Sequence, residues 1–297
     1  MTLDEWRVGG GTFRFDGRLV FCAAEGQGRA GEALLLIHGF PTASFDWRRV
    51  WSELGDRFRL VAPDMLGFGF SDKPKDHEYR IAEQADLHET LCDLLAIDRV
   101  HVLAHDYGDT VAQELLARAL EGVARLKVQS ICFLNGGLFP EAHRALPIQR
   151  WMASPLGPVL SRLTHERVFS RSFAAVFGPR TRPSAEALHD CWRLVSHAEG
   201  HRIGHRLLAY LRERVEQRER WVGALERAAA HGIPIRFVNG LLDPVSGAAM
   251  LTRYRALVPD ADWIALEGIG HYPQLEDPAG VLAAYWGFLE RHDLLSE

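Results

Sequence analysis

Apolar positions gather into eight short runs along the chain: TFRFDG, LVFCAAEG, ALLLIHG, FRLVAPD, RVHVLAHD, VQSICFLNGG, IPIRFVNG and DWIALEG. Runs of this length, rich in Val, Ile, Leu and Phe and closed by Gly or Asp, predict β-strands. Apolar residues also recur at helical spacing, predicting helices near Asp46–Leu54, Ile81–Leu95, Gly108–Leu120, Ala248–Leu257 and Pro278–Arg291. The first two runs read as a hairpin, and the alternation that follows implies a mostly parallel sheet flanked by helices, an α/β fold. From Leu138 to about Val222 the rhythm changes. No strand candidate occurs there, and helical segments are broken at Pro140, Pro147, Pro155, Pro158, Pro179 and Pro183. We expect a core of residues 1–137 and 223–297 and a helical cap, 138–222, over the C-terminal edge of the sheet, where ligands bind in open α/β folds.

Composition narrows the partners. With 297 residues and 47% apolar side chains the chain can bury a sizeable core. A formal net charge of −5 without Lys/Arg blocks argues against nucleic acid or an anionic membrane as the main partner. The stretch RERVEQRER is a solvated helix face of mixed sign. Cys22, Cys92, Cys132 and Cys191 show no metal-like or redox spacing, which suits reduced thiols in the cytoplasm. Neither an export signal nor a run of membrane-spanning length is apparent. No phosphate loop and no metal-ligand cluster is visible, so no cofactor is expected.

Candidate chemistry begins in RVHVLAHDYGDTVAQELLARAL, which reads as strand, tight turn and helix with Asp106 at the apex. An Asp there can simply cap a helix. It also occupies the serine position of a nucleophile elbow, G-x-S-x-G, here Ala104-His105-Asp106-Tyr107-Gly108. That alternative demands an acid and then a His downstream. Asp243 in VNGLLDPVSG and His271 in LEGIGHYPQLEDP meet the demand, each just beyond a predicted strand. The backbone N–H of Phe40, after the His38-Gly39 turn, and that of Tyr107 can together hold an oxyanion.

LLLIHGFP, PDMLGFGFSDKP, AHDYGD and GHYPQLEDP together resemble the epoxide hydrolase and haloalkane dehalogenase branch of the α/β-hydrolase superfamily, across nearly the whole chain. HDYGDTVAQELL, VFGPRTRPS, RWVGAL and HYPQLEDP also resemble the mesoderm-specific transcript family, cap included. The resemblance implies an α/β-hydrolase fold with an eight-stranded, mostly parallel sheet and the catalytic set Asp106, Asp243 and His271.

An aspartate nucleophile selects its substrate. Attack on an ester or amide would give a high-energy anhydride, whereas attack on an sp3 carbon displaces an alkoxide or halide and leaves an alkyl–enzyme ester. His271, oriented by Asp243, would then activate the water that hydrolyses it. The expected partners are therefore a small apolar organic substrate and water. In the resembling dehalogenases an Asn commonly follows the His-Gly turn and a Trp follows the nucleophile. Here those places hold Phe40 and Tyr107, which favours epoxides, with haloalkanes as the alternative. Tyr210, the only tyrosine of the cap, stands where the resemblance implies an epoxide-polarising phenol, although it could equally pack a helix. Phe177 or a tryptophan takes the place of the usual first cap tyrosine. Trp151, Trp192, Phe177, Asn135 and His38 complete the candidates for contact with substrate, and His105 is expected to fix the elbow. A serine-type esterase ranks low because no Ser occupies the elbow; a non-catalytic ligand-binding protein is the other alternative.

Overall fold

All eight apolar runs are strands of one sheet in a computed structural model that describes residues 1–26 and 31–295. They are β1 (Gly11–Phe15), β2 (Arg18–Glu25), β3 (Glu32–Ile37), β4 (Leu60–Pro63), β5 (Arg99–His105), β6 (Lys127–Leu134), β7 (Ile235–Gly240) and β8 (Asp262–Leu266). The order across the sheet is β1-β2-β4-β3-β5-β6-β7-β8, with β1–β2 and β2–β4 antiparallel and every later pair parallel. The parallel strands therefore end along one edge, and β3 and β5 lie side by side at its centre. That neighbourhood places the His38-Gly39 turn against Asp106.

Side chains of the central strands alternate between two apolar layers. Leu35, Ile37, Val100, Val102 and Ala104 face one layer, and Leu34, Leu36 and Leu103 face the other. Both faces need covering, which is why these strands lack polar alternation. The helix Tyr107–Glu121 covers the first face with Val111, Leu115 and Leu116. The helix Pro278–Arg291 covers the second with Val281, Tyr285, Phe288 and Leu289.

The predicted helices Ala248–Leu257 and Pro278–Arg291 stand as expected, Ile81–Leu94 is one residue shorter at its end, and Tyr107–Glu121 is one residue longer at each end. The expected Asp46–Leu54 helix is instead a 3₁₀ segment, Ser44–Arg49, followed by a short α-helix, Trp51–Gly55. A further helix, Leu3–Gly9, was not anticipated. Its first turn is closed by a reciprocal pair in which the Glu5 N–H donates to Thr2 Oγ1 (3.2 Å) and the Thr2 N–H to Glu5 Oε2 (2.7 Å). Its Trp6 packs edge-on against Phe45 and Trp51.

Between β6 and β7 the chain forms only helices and turns, from Pro147–Met152 through Gly157–Leu163, Glu166–Ala174, Ala185–Ser196 and Tyr210–Glu216 to Arg218–Arg227. Residue 222 falls inside the last of these. That helix packs on the core helix Tyr107–Glu121 through buried Trp221, Val222, Ala224 and Leu225, and the Trp221 indole N–H donates to Glu114 Oε2 at 2.7 Å. The four cysteines are buried free thiols. Among the described residues, no helix is long and apolar enough to cross a membrane.

Candidate active site

Asp106 sits between the last residue of β5 and the first of the helix Tyr107–Glu121, with φ 52° and ψ −108°. A positive φ at a non-glycine residue costs on the order of 1–3 kcal/mol and persists only where its surroundings enforce it. The surroundings here are close-packed. A Cβ on Gly108 would overlap the Ile37 carbonyl, and one on Gly39 would stand 2.7 Å from His105 Nδ1 and 2.8 Å from Asp106 Cβ. Glycine at these two positions lets the β3 turn press against the elbow. As a result the Phe40 N–H donates to Asp106 Oδ1 at 2.8 Å. Tyr107 follows as the first helical residue, where N–H groups lack intrahelical acceptors.

His271 approaches from the loop after β8. Its Nδ1 donates to Asp243 Oδ2 at 2.7 Å, and its Nε2 lies 3.4 Å from Asp106 Oδ2. The loop is held by its own backbone: the His271 N–H donates to the Val176 carbonyl (2.9 Å), and the His271 carbonyl accepts from His105 Nε2 (2.8 Å). Asp243 in turn accepts from the Val245 N–H (2.7 Å) and from Asn135 Nδ2 (2.9 Å). The Ser246 hydroxyl lies 2.7 Å from Asp243 Oδ2 and 2.6 Å from the Asn135 carbonyl, so its single hydrogen serves one of them at a time.

Burial disfavours every charge in this cluster, and the contacts outweigh it. For Asp106 the desolvation cost is overcome by the hydrogen bond and charge of His271, which with the Phe40 N–H hold the carboxyl well below the usual range. Asp243 is lowered in the same way by His271, Ser246 and Val245. His271, desolvated but flanked by two carboxylates, is held well above the ordinary imidazole range. His105 goes the other way. Burial and the neighbouring His271 push it down to about 4, so it is a neutral brace between elbow and loop.

The structure brings Asp106, Asp243, His271 and Phe40 together. Not every other candidate joins them. His38 uses both ring nitrogens on backbone, Nε2 accepting from the Met65 N–H (2.9 Å) and Nδ1 donating to the Gly39 carbonyl (2.9 Å), so it braces the β3 and β4 ends and offers substrate nothing. Asn135 spends its amide on Asp243 and on Gly240, so it positions the acid instead of meeting a ligand. Trp151 is 62% exposed and lies on the surface, because its short helix turns that face outward. Phe177 stacks on Tyr272 at 5.0 Å, and Trp192 packs against Phe169 and His201. Tyr210 is fully buried 4.7 Å from the Tyr107 ring, with no partner for its hydroxyl among the described residues.

Three polar residues near the site went unnoticed in the sequence: Ser246, His143 and Arg214. His143 has two buried ring nitrogens without partners, and Arg214 has two such guanidinium nitrogens. Only Arg214 has a sequence signal, Gly137 after β6, where a Cβ would overlap its guanidinium. Beside His271 lies an apolar pocket holding ≈ 480 Å³ of empty space, part of it open to solvent, with Phe40, Phe173, Val176 and Tyr272 in its wall. A larger one of ≈ 760 Å³ adjoins it across Phe40, Pro41, Ile148 and Phe169. Among the described residues, no group of three or more His, Cys, Asp or Glu side chains could hold a metal ion.

The sheet order is that of a hydrolase architecture, and residues 32–278 match the alpha/beta hydrolase fold family, to which the chain belongs. It is similar to the mesoderm-specific transcript protein of Mus musculus, 44% identical over 296 residues that cover 97% of this chain and 88% of that one. The haloalkane dehalogenase DbeA from Bradyrhizobium elkani USDA94 has the same fold, with a TM-score of 0.77 at 22% identity, covering 97% of this chain and 99% of its own. Epoxide hydrolase CorEH is similar in fold too, with a TM-score of 0.73 at 22% identity and coverage of 95% and 98%.

Proposed function

We propose that this hydrolase attacks its substrate with Asp106, forms an alkyl–enzyme ester, and opens epoxides to diols beneath a cap made by the helical insertion. The observation that carries this reading is the Asp106 carboxylate itself: Oδ1 accepts from the Phe40 N–H while Oδ2 faces His271, on a strained turn that a helix cap would not require. The carboxylate is ionised and needs no base to attack. One of its oxygens bonds to an epoxide carbon, the ring C–O bond breaks, and the alkoxide takes a proton from a buried donor. Tyr210 suits that role, since burial raises its pKa and keeps the phenol protonated, and its hydroxyl has no protein partner.

In the second step a water oxygen adds to Asp106 Cγ while His271 takes its proton. The N–H groups of Phe40 and Tyr107 stabilise the resulting oxyanion. Collapse releases the diol, whose departing oxygen takes the proton held by His271, and the proton shed as Asp106 returns to its carboxylate restores the phenol of Tyr210. A haloalkane would give an alkyl ester by the same attack, with halide as the leaving group. An indole N–H could hold a departing halide, but Trp151 is on the surface and the Trp221 indole is spent on Glu114, which favours this route less. The resemblance in fold to CorEH and DbeA is compatible with either chemistry. Four free buried thiols suit a cytoplasmic setting.

A single turnover with excess enzyme in H₂¹⁸O tests the reading. The Asp106 route delivers an unlabelled oxygen to the diol and places ¹⁸O in the Asp106 carboxylate. Direct attack by water would label the diol at once and leave Asp106 unlabelled.

A further inference from the structure

Arg214 lies one helical turn beyond Tyr210 on the helix Tyr210–Glu216, with its guanidinium 5.1 Å from the centre of the Tyr210 ring. It is 3% exposed, yet it makes no hydrogen bond or ion pair with any described residue, and its Nε and Nη1 are enclosed without an acceptor. The chain treats another buried guanidinium differently: Arg236, equally buried, donates to the Ala284 carbonyl and pairs with Asp262 at 2.8 Å. An unpaired buried cation is strongly unfavourable unless something outside the protein meets it.

Its surroundings add further donors, and although the charge of Asp106 reaches it, no carboxylate bonds it among the described residues. The Tyr210 hydroxyl and both His143 nitrogens are enclosed without partners. Burial and the adjacent Arg214 charge push His143 down to about 3, so the ring is neutral and offers one N–H. Asp109, the acid on this side, is held by burial and by Asp106 far above the usual carboxylate range, so it supplies no counter-charge. Gly137, at the end of β6, clears the lane for Arg214, since a Cβ there would overlap Nη1. Five guanidinium N–H groups in a planar fork and an imidazole N–H together fit a planar acceptor with two oxygens. A halide would engage only part of the set.

We propose that Arg214, with His143, binds the carboxylate of an organic acid next to Asp106, leaving the Tyr210 hydroxyl to the alkoxide and the apolar remainder of that acid to the pocket lined by Phe40, Phe169 and Met152. An anionic substrate approaching an anionic nucleophile needs a fixed positive charge, and Arg214 provides it. The statement that this acid is the substrate rests on the reading of Asp106 as nucleophile; the anion site itself does not.

Calorimetric titration of the folded wild-type protein with hexanoate and hexanamide tests the site without turnover, so failure of the covalent mechanism leaves the result interpretable. Wild type binds hexanoate at least tenfold more tightly than hexanamide. Arg214→Met abolishes the preference, Arg214→Lys keeps part of it, and Gly137→Ala, which displaces the guanidinium with arginine still present, behaves like Arg214→Met. Circular dichroism establishes that each variant is folded, and if Arg214→Met is not, the Lys and Gly137→Ala variants decide. Equal affinities in wild type, no binding of either compound, or a preference that survives Arg214→Met or Gly137→Ala overturns the proposal. Displacement of hexanoate by chloride as effectively as by acetate overturns the carboxylate assignment.

Discussion

His271 Nε2 and Asp106 Oδ2 face each other across 3.4 Å, inside a cluster from which solvent is almost excluded. In the proposed mechanism this pairing sets the order of the two steps. While Asp106 is ionised it helps to keep His271 protonated, and an imidazolium cannot take a proton from water. Once Asp106 is an ester, its charge is gone and His271 feels only Asp243, so its proton affinity falls as a base becomes necessary.

Asp106→Asn removes the nucleophile while nearly preserving its volume. Turnover of an epoxide that the wild type hydrolyses is expected to fall by more than about a thousandfold, the scale on which essential covalent catalysts fail. Far-UV circular dichroism should be unchanged, and mass spectrometry must exclude deamidation back to Asp. Retained activity in a verified Asn variant would remove Asp106 from the chemistry.

The same variant reports on the coupling. His271 should titrate at lower pH in Asp106→Asn than in wild type, as read from the imidazole ¹⁵N shifts. The sign for stability follows from linkage. The raised His271 value contributes stability that is full below about 6.5 and lost as pH climbs through the folded value. The depressed Asp106 value contributes stability that is full above about 3.9 and lost as pH falls through the folded value. Wild-type stability relative to the variant, measured by urea unfolding, should therefore peak between about pH 4 and 6.5. A difference that falls on neither side of this range, toward lower pH or toward higher pH, would refute the coupling.

Tyr210→Phe separates the steps. Loss of the phenol proton should slow alkylation of Asp106 by an epoxide about 10²–10⁴-fold, as for a general acid, and leave ester hydrolysis nearly untouched. Stopped-flow alkylation at the wild-type rate would reduce Tyr210 to a packing role.

Asn135 carries a structural load. It donates to Asp243 and to the Gly240 carbonyl, accepts from the Gly240 N–H, and holds φ 43°, a region that asparagine tolerates better than alanine. Asn135→Ala should destabilise the protein by about 1–3 kcal/mol for each buried partner left unsatisfied, measured as a lowered urea midpoint. An unchanged midpoint would mean that water or a neighbour replaces the amide.

The strands were legible because each is a run of apolar residues closed by a turn former, and the sheet leaves no other home for them. Asp106, Asp243 and His271 were legible because each falls at the end of such a strand, where position along the chain maps onto the sheet edge. The helical insertion offers no such map. Which face of a short, proline-broken helix turns inward depends on docking: Trp151 looks like core and is exposed, while Arg214 looks like surface and is buried. The helix Leu3–Gly9 escaped notice because seven residues carry too little periodicity, although Thr2 and Glu5 stood at capping-box spacing. His38 and Asn135 were placed correctly near the strand ends, but their hydrogen bonds run to backbone and to Asp243, a choice that composition does not encode.

The covalent ester is the central claim, and His271→Gln isolates it. This variant keeps Asp106 but lacks the base for hydrolysis, so the ester should accumulate and be visible by intact-protein mass spectrometry after mixing with epoxides and, separately, with haloalkanes. An epoxide adds its whole mass, because the opened oxygen stays attached and the proton it gains replaces the one absent from the ester; a haloalkane adds its mass less that of the hydrogen halide. The account predicts the epoxide increment, mapped to the peptide containing Asp106. A folded His271→Gln protein that gains no mass from either class, or gains it elsewhere in the chain, would contradict the mechanism.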